Sequence, residues 1–191
     1  METMLKKFRR KYKLPEKCLL DLLSHMEEVC FPKGEHIIRI GERNSNFYIL
    51  KKGIWRAYYL TDGTENSLWF VGPGEVAFSS WGYVDGKPSL IHLESVNDSV
   101  AYCIGKAELE VLFSRSIEMA NFGRKIFERE ILSVDVSTLA YGAPPTAKER
   151  YLKLMEENPE LLQDVPLKYL ASYLYITPQS LSRIRAGLKK K

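Results

Sequence analysis

PLKYLASYLYITPQSLSRIRAGLKKK, residues 166–191, carries six basic residues and no acidic one. In its first half Leu167, Leu170, Ala171 and Leu174 follow the i, i+3, i+4, i+7 spacing of one buried helical face. Thr177 is suited to accept backbone N–H bonds as an N-cap. Pro178 suits the first helical position, where its missing N–H would go unpaired anyway. Leu181, Ile184 and Leu188 then form the inner stripe of a second helix. Its opposite face carries Gln179, Ser182, Arg183 and Ala186, so that an amide, a hydroxyl and a guanidinium project together from a helix narrow enough for a major groove. Two short helices, a tight turn and such a face predict a helix-turn-helix that reads DNA.

Charge supports that reading. The chain has 28 basic and 24 acidic residues, and without the six of the terminal stretch its remainder holds 22 basic residues and is nearly neutral. The positive excess sits where phosphates would be met, adding sequence-independent, salt-sensitive affinity. The plainer alternative is a helical hairpin ending in a solvated basic tail.

The length of 191 residues suffices for one large or two small domains with buried cores. No run approaches the roughly 20 apolar residues of a membrane span, and METMLKKFRRKYKL lacks the apolar stretch of a signal peptide, so no membrane association and a cytoplasmic location are expected. Cys18, Cys30 and Cys103 are scattered without CxxC spacing and read as reduced, mostly buried thiols. His25, His36 and His92 form no HxH or HExxH grouping, and His36 and His92 stand alone in the β region. Neither a metal, nor a cofactor, nor an enzyme is expected.

Working toward the N-terminus, Thr146 and Glu149 have capping-box spacing at the start of a helix running to about Asn158. Gly142-Ala143-Pro144-Pro145 breaks the preceding helix and marks a boundary between domains at 1–142 and 143–191. Upstream, Ile117, Ala120, Arg124, Phe127, Ile131 and Val134 alternate spacings of three and four along a long helix, about 116–142. That is the seam of a two-stranded coiled coil and the expected dimer interface. Met119, Phe122 and Ile126 offer a second face for burial against the chain's own sheet. From about Val29 to Ile104 short apolar runs (HIIRI, FYILKKG, IWRAYYL, SLWFV, LIHLESV, SVAYCIG) are punctuated by glycine, the texture of a many-stranded antiparallel domain. Asp62-Gly63 is its clearest hairpin turn. Residues 15–28 have helical spacing.

A glycine-punctuated β domain, a long dimer-type helix and a terminal helix-turn-helix, in that order, resemble the Crp/Fnr family of bacterial transcription regulators. PKGEHIIRIGERNSNFYILKKGIWRAYYL resembles the opening of its cyclic-nucleotide-binding fold, with Gly34, Gly41, Tyr48 and Gly53 at turn and core positions. ERYLKLMEENPEL and LKYLASYLYITPQSLSRIRAGL resemble its DNA-binding half. The implied fold is α+β: an antiparallel β jelly roll, a long dimerisation helix and a small all-α helix-turn-helix domain. The resemblance implies that Thr177 caps the recognition helix, Gln179 and Arg183 read bases, and Ser180 lies near phosphate, with Ser182 and Lys189 also on the DNA side. It implies an effector pocket at Gly74, Glu75, Val76, Phe78, Ser79, Ser80, Lys87 and Ser89.

Three departures qualify the resemblance. The Gly-Glu pair that the family uses for a ribose is matched by Gly74-Glu75, but its phosphate-binding Arg-Ser pair is replaced by Pro88-Ser89. Proline cannot neutralise a buried phosphate, and adjacent Lys87 lacks the bidentate fork, so cyclic AMP is not the expected effector. The aromatic run AFSSWGYVDG either lines a pocket for another ligand or packs on the core. Tyr175 occupies a turn position usually given to glycine, where a left-handed residue is strained by roughly 1 to 2 kcal/mol. Finally, the sequence stops at Lys191 without the β-hairpin wing of many members, so that the phosphate contacts of a wing either come from Lys189, Lys190 and Lys191 or are absent. The expected function is a homodimeric, sequence-specific transcription regulator acting on a palindromic operator, with an unidentified small-molecule effector and RNA polymerase as further partners. The alternative is a small-molecule sensor whose C-terminal domain contacts protein instead of DNA.

Overall fold

The computed structural model describes residues 2–142 and 146–189, the side chains of residues 2–3, 133–142 and 189 excepted. Two helices, α1 (Glu2–Tyr12) and α2 (Glu16–Ser24), precede β1 (Glu27–Phe31), β2 (His36–Ile38), β3 (Asn46–Lys52), β4 (Trp55–Thr61), β5 (Thr64–Val71) and β6 (Val76–Phe78). A short helix α3 (Ser80–Asp85) leads to β7 (His92–Ser95) and β8 (Ser99–Gly105), followed by α4 (Lys106–Ser114) and the long α5 (Ile117–Gly142). The last elements are α6 (Ala147–Glu157), α7 (Leu161–Asp164), α8 (Leu167–Tyr173) and α9 (Pro178–Lys189).

The strands form two four-stranded sheets, β1-β8-β3-β6 and β2-β7-β4-β5. Strands β1 and β8, β3 and β8, β3 and β6, and β2 and β7 run antiparallel. The expected α+β class with an antiparallel sandwich is what the chain adopts. Strand β3 shows how the alternation works. Tyr48 faces the other sheet, its ring 5.6 Å from Trp55 and edge-on to it. Phe47 and Ile49 point the opposite way into a helical layer, Phe47 lying 6.2 Å from Phe127 of α5. A strand covered on both faces reads as a continuous apolar run, which is why FYIL lacks polar alternation. Asp62 and Gly63 both have positive φ, 50° and 74°, as a two-residue hairpin turn between β4 and β5 requires.

The main core gathers Phe47, Ile49, Val76 and Ile104 from the sheet with Leu109, Leu112, Met119, Phe122 and Ile126 from α4 and α5. The second face expected of α5 is therefore buried. Phe127, expected on the dimer seam, instead packs on Phe47, Phe78 and Tyr83. Coiled-coil spacing alone cannot distinguish a partner helix from the chain's own sheet. Ile117, Ala120, Arg124 and Ile131 are exposed, while the side chain of Val134 lies outside the described residues. Met4, Phe8 and Tyr12 of α1, a helix the sequence pattern did not announce, are also fully buried in this core.

The chain divides into two compact units, residues 1–57 with 70–132, and residues 58–69 with 133–191. The division falls within α5, after Leu132, and residues 143–145, at the expected domain boundary, lie outside the described ones. In the second unit Tyr151, Leu154, Leu161, Val165, Leu170, Ala171, Leu174 and Leu181 are buried. The tip of the β4–β5 hairpin belongs to this unit: Ser67 N–H donates to Ser172 Oγ of α8 (2.9 Å), and that hydroxyl donates to the Glu65 carbonyl (3.1 Å). Cys18 is buried, Cys103 half-buried and Cys30 exposed, so burial of the thiols holds for only part of the set. No helix among the described residues is long and apolar enough to cross a membrane.

Candidate DNA-reading surface and effector pocket

The C-terminal helices begin with α6. Thr146 caps it, its Oγ1 accepting from Glu149 N–H while Glu149 accepts from Thr146 N–H, a complete capping box. The Thr146 N–H and hydroxyl hold the Glu149 carboxyl below its ordinary value. Arg150 then reaches the turn between α8 and α9, its Nε donating to the Leu174 carbonyl at 3.0 Å.

That turn closes by two bonds: Ile176 N–H to the Ala171 carbonyl and Tyr175 N–H to the Ser172 carbonyl, both 3.0 Å. This crossed pair is the Schellman arrangement, which places the residue after the cap in the left-handed region. Tyr175 occupies that position with φ 54°. The turn is thus not remodelled to spare the tyrosine; it keeps the geometry that favours glycine and accepts the strain.

Thr177 caps α9 as expected, accepting Ser180 N–H at 3.2 Å and donating its own hydroxyl to Ser180 Oγ at 3.0 Å. Leu181 is fully buried, while Ile184 and Leu188 are half-buried on the same side. Gln179, Ser182, Arg183 and Ala186 are exposed. At about 100° of rotation per residue they share an arc of roughly 100°. With 12 residues α9 is long enough, about 18 Å, to lie across a major groove. Neither α8 nor α9 contains an acidic residue to neutralise Arg183 or Arg185. The Lys189 side chain lies outside the described residues, as do Lys190 and Lys191 entirely.

The structure places the expected effector residues along and at both ends of β6. Gly74 and Glu75 sit in the turn before β6, where Gly74 N–H donates to the Leu50 carbonyl (2.7 Å). Ser79 and Ser89 lie past the other end of that strand: Phe78 pairs with Phe47, and Ser89 N–H donates to the Glu42 carbonyl (2.9 Å). Three residues of strand, about 10 Å, separate the two groups. A Gly-Glu dipeptide in sequence says nothing about which end of a strand it will occupy.

Each group is already satisfied by the protein. A Cβ on Gly74 would come within 2.6 Å of the Met4 carbonyl and 2.8 Å of Phe8 N, so α1 lies directly on this turn. Glu75 accepts from Gly72 N–H (2.8 Å) and from Lys11 (3.1 Å). Lys11 also pairs with Glu130 of α5 at 3.1 Å. Burial pulls the Lys11 ammonium down, but Glu75 and Glu130 together outweigh it and hold it above the ordinary lysine value. Tyr12 OH accepts from Val76 N–H (3.0 Å) and donates to Glu130 (2.6 Å). Burial first, then the Glu130 charge, pushes this phenol well above its usual range. Helix α1 thereby ties the β6 turn to α5.

At the other end Ser79 Oγ caps α3 by accepting Gly82 N–H (3.1 Å), and Ser89 Oγ donates to the Ile91 carbonyl (2.8 Å). Lys87 is exposed and pairs with Asp85 at 2.8 Å rather than turning inward. Phe78 packs on Phe47, Tyr83 and Phe127, and Tyr83 OH donates to Glu110 (3.1 Å). For these two aromatics the packing alternative describes their position, while Ser80 and Trp81 are exposed.

Sequence spacing also missed a buried charge cluster. The β2–β7 register sets His36 opposite Glu94, and the His36 and His92 rings stand 5.0 Å apart. The two histidines are neighbours across strands, which linear spacing cannot reveal. Glu94 pairs with fully buried Arg56 of β4 at 3.0 Å. Among the described residues no group of His, Cys, Asp and Glu is arranged to hold a metal ion.

Residues 28–116 match the family model of the cyclic nucleotide-binding domain. No curated protein sequence matches the chain. Among solved structures the fold resembles FixK2 of Bradyrhizobium japonicum, with TM-score 0.74 and 20% identity over 86% of this chain and 85% of that one. It also resembles CLP, a c-di-GMP-responsive global regulator of Xanthomonas campestris, with TM-score 0.71 and 16% identity over 92% of each chain. A third resemblance is to a putative cAMP-binding regulatory protein of Silicibacter pomeroyi, with TM-score 0.67 and 20% identity over all of this chain and 89% of that one.

Proposed function

We propose that a cyclic-nucleotide-binding-type β domain here governs a DNA-reading helix, making the chain a transcription regulator of the Crp/Fnr type rather than an enzyme. One observation carries this reading: α9 is capped by Thr177, anchored by fully buried Leu181, and exposes Gln179, Ser182 and Arg183 together. Arginine paired bidentately to guanine, and glutamine to adenine, are the contacts such a face makes in a major groove. The exposed α5 residues Ile117, Ala120, Arg124 and Ile131 supply the seam of a homodimer. Two α9 helices about 34 Å apart would then meet successive turns of a palindromic site.

The effector is not cyclic AMP in this reading. Glu75 is engaged by Lys11, Lys87 by Asp85 and Ser89 by Ile91, while Pro88 offers no charge to a phosphate. An unpaired phosphate in such surroundings would not recover its desolvation cost. CLP responds to c-di-GMP and the Silicibacter protein is described as cAMP-binding, so related folds differ in the ligand they take.

Footprinting on selected DNA fragments tests the proposal. A preferred palindrome is expected, and Arg183→Ala should weaken binding to it by about 1 to 3 kcal/mol, roughly 5- to 150-fold, while relaxing preference at one base pair of each half-site. Equal, salt-dependent affinity for all fragments would remove the specific-regulator reading. Titration calorimetry with cyclic AMP should show no saturable heat.

A further inference from the structure

A groove of about 360 Å³ opens beside the end of α1 and along α5, lined by Tyr12, Lys13, Lys125, Glu128, Arg129 and Leu132. Its size falls in the range of small-molecule sites. Three of the six residues are cations and one is an acid. That acid is already engaged, since Glu128 pairs with Arg124 one turn earlier on α5. Among the described residues no carboxylate pairs with Lys13, Lys125 or Arg129, although neighbouring Arg9 and Lys11 are matched to Glu16, Glu75 and Glu130.

Lys125 and Arg129 stand four residues apart on α5, where like charges repel. Lys13 adds a third positive charge from a backbone held at φ 53°, a left-handed conformation that non-glycine residues seldom adopt. A strained residue bringing an unmatched cation to two others is an arrangement that an anion would relieve. The guanidinium of Arg129 supplies a planar fork for two phosphate oxygens, and the two ammonium groups adapt to the rest. Leu132 and the ring of Tyr12 offer apolar surface beside them.

We propose that this groove is a binding site for a small phosphorylated anion carrying a di- or triphosphate group. It lies outside the expected pocket of the β domain and does not depend on the DNA-reading role of α9. Because α1 and α5 both line it, an occupied groove would add a link to the one that Lys11 and Tyr12 already make through Glu130.

Isothermal titration of the full chain with inorganic pyrophosphate and, separately, ADP at low salt tests the site. Saturable one-to-one binding is expected, and Lys125→Met/Arg129→Met should weaken it at least about tenfold by removing two charge-assisted contacts. Lys13→Met provides a second variant with the same direction of change, and thermal melting checks that both variants fold. Equal affinities would show that the phosphates alone are held, and tighter ADP that Leu132 and Tyr12 take its body; either supports the site. Arg183→Ala should leave binding unchanged. Absence of saturable heat for both probes, undiminished binding in the double variant, or loss of binding in Arg183→Ala would each overturn the proposal.

Discussion

Tyr175 stands at φ 54° in a turn whose two hydrogen bonds fix that geometry, and its side chain is 61% exposed. Little packing is lost if the ring is removed, so relief of strain should dominate. Tyr175→Gly is expected to stabilise the chain by about 0.5 to 1 kcal/mol, the left-handed penalty less the added freedom of the unfolded glycine, as read from urea denaturation. Gly74 has the opposite prospect. Its φ is 84° and its missing Cβ makes room for the backbone of α1, so Gly74→Ala should destabilise by more than about 2 kcal/mol. Both conformations were differently legible in the sequence. Tyr175 could be placed because caps, turn and apolar stripe lie within a few residues of one another. For Gly74 the Gly-Glu dipeptide points to a ligand, and nothing local announces that a helix presses on it. The His36–His92 neighbourhood was hidden for a related reason: cross-strand register is set by pairing over more than fifty residues.

Helix α1 escaped the sequence reading because its buried residues Met4, Phe8 and Tyr12 recur every four positions among lysines and arginines, too sparsely for a conventional apolar stripe. Yet Tyr12 joins it to two other elements through one hydroxyl. Tyr12→Phe would leave the buried Val76 N–H without its acceptor and should cost about 1 to 3 kcal/mol. The pH dependence has a defined sign. Folding raises the values of both Lys11 and Tyr12, so their stabilisation is complete below the unfolded values near pH 10 and is lost as pH climbs through the native ones. Chemical denaturation between pH 8 and 12 should show stability falling above about pH 10, with a shallower fall in Tyr12→Phe. Phe127 gives the complementary lesson for α5. Its three-four spacing places it on a dimer seam, yet Phe47 and Phe78 of the chain's own sheet cover its ring, a partner that spacing along one helix cannot reveal.

For the whole molecule, the exposed stretch of α5 makes a direct prediction about assembly. Ile131 is 66% exposed, so Ile131→Glu should change the stability of the isolated chain by no more than about 0.5 kcal/mol. In the proposed dimer it would bury a charge, and sedimentation equilibrium should show a shift toward monomer together with loss of the operator footprint. The order of elements was readable because glycine punctuation, a long helical run and a capped helix pair each announce themselves locally; the grouping of residues 58–69 with the C-terminal helices was not, since it joins residues as distant in sequence as Ser67 and Ser172, 105 residues apart. That grouping gives the chain a schedule. At ribosomal rates of about 5–20 residues per second, the hairpin tip emerges roughly 5 to 20 s before its partner serine, and the buried Ser67 N–H must remain hydrated or borrow another acceptor meanwhile. A chaperone that covers the hairpin during this interval would favour correct docking, whereas a premature stop between them would leave a nascent protein with an open hydrogen-bonding seam.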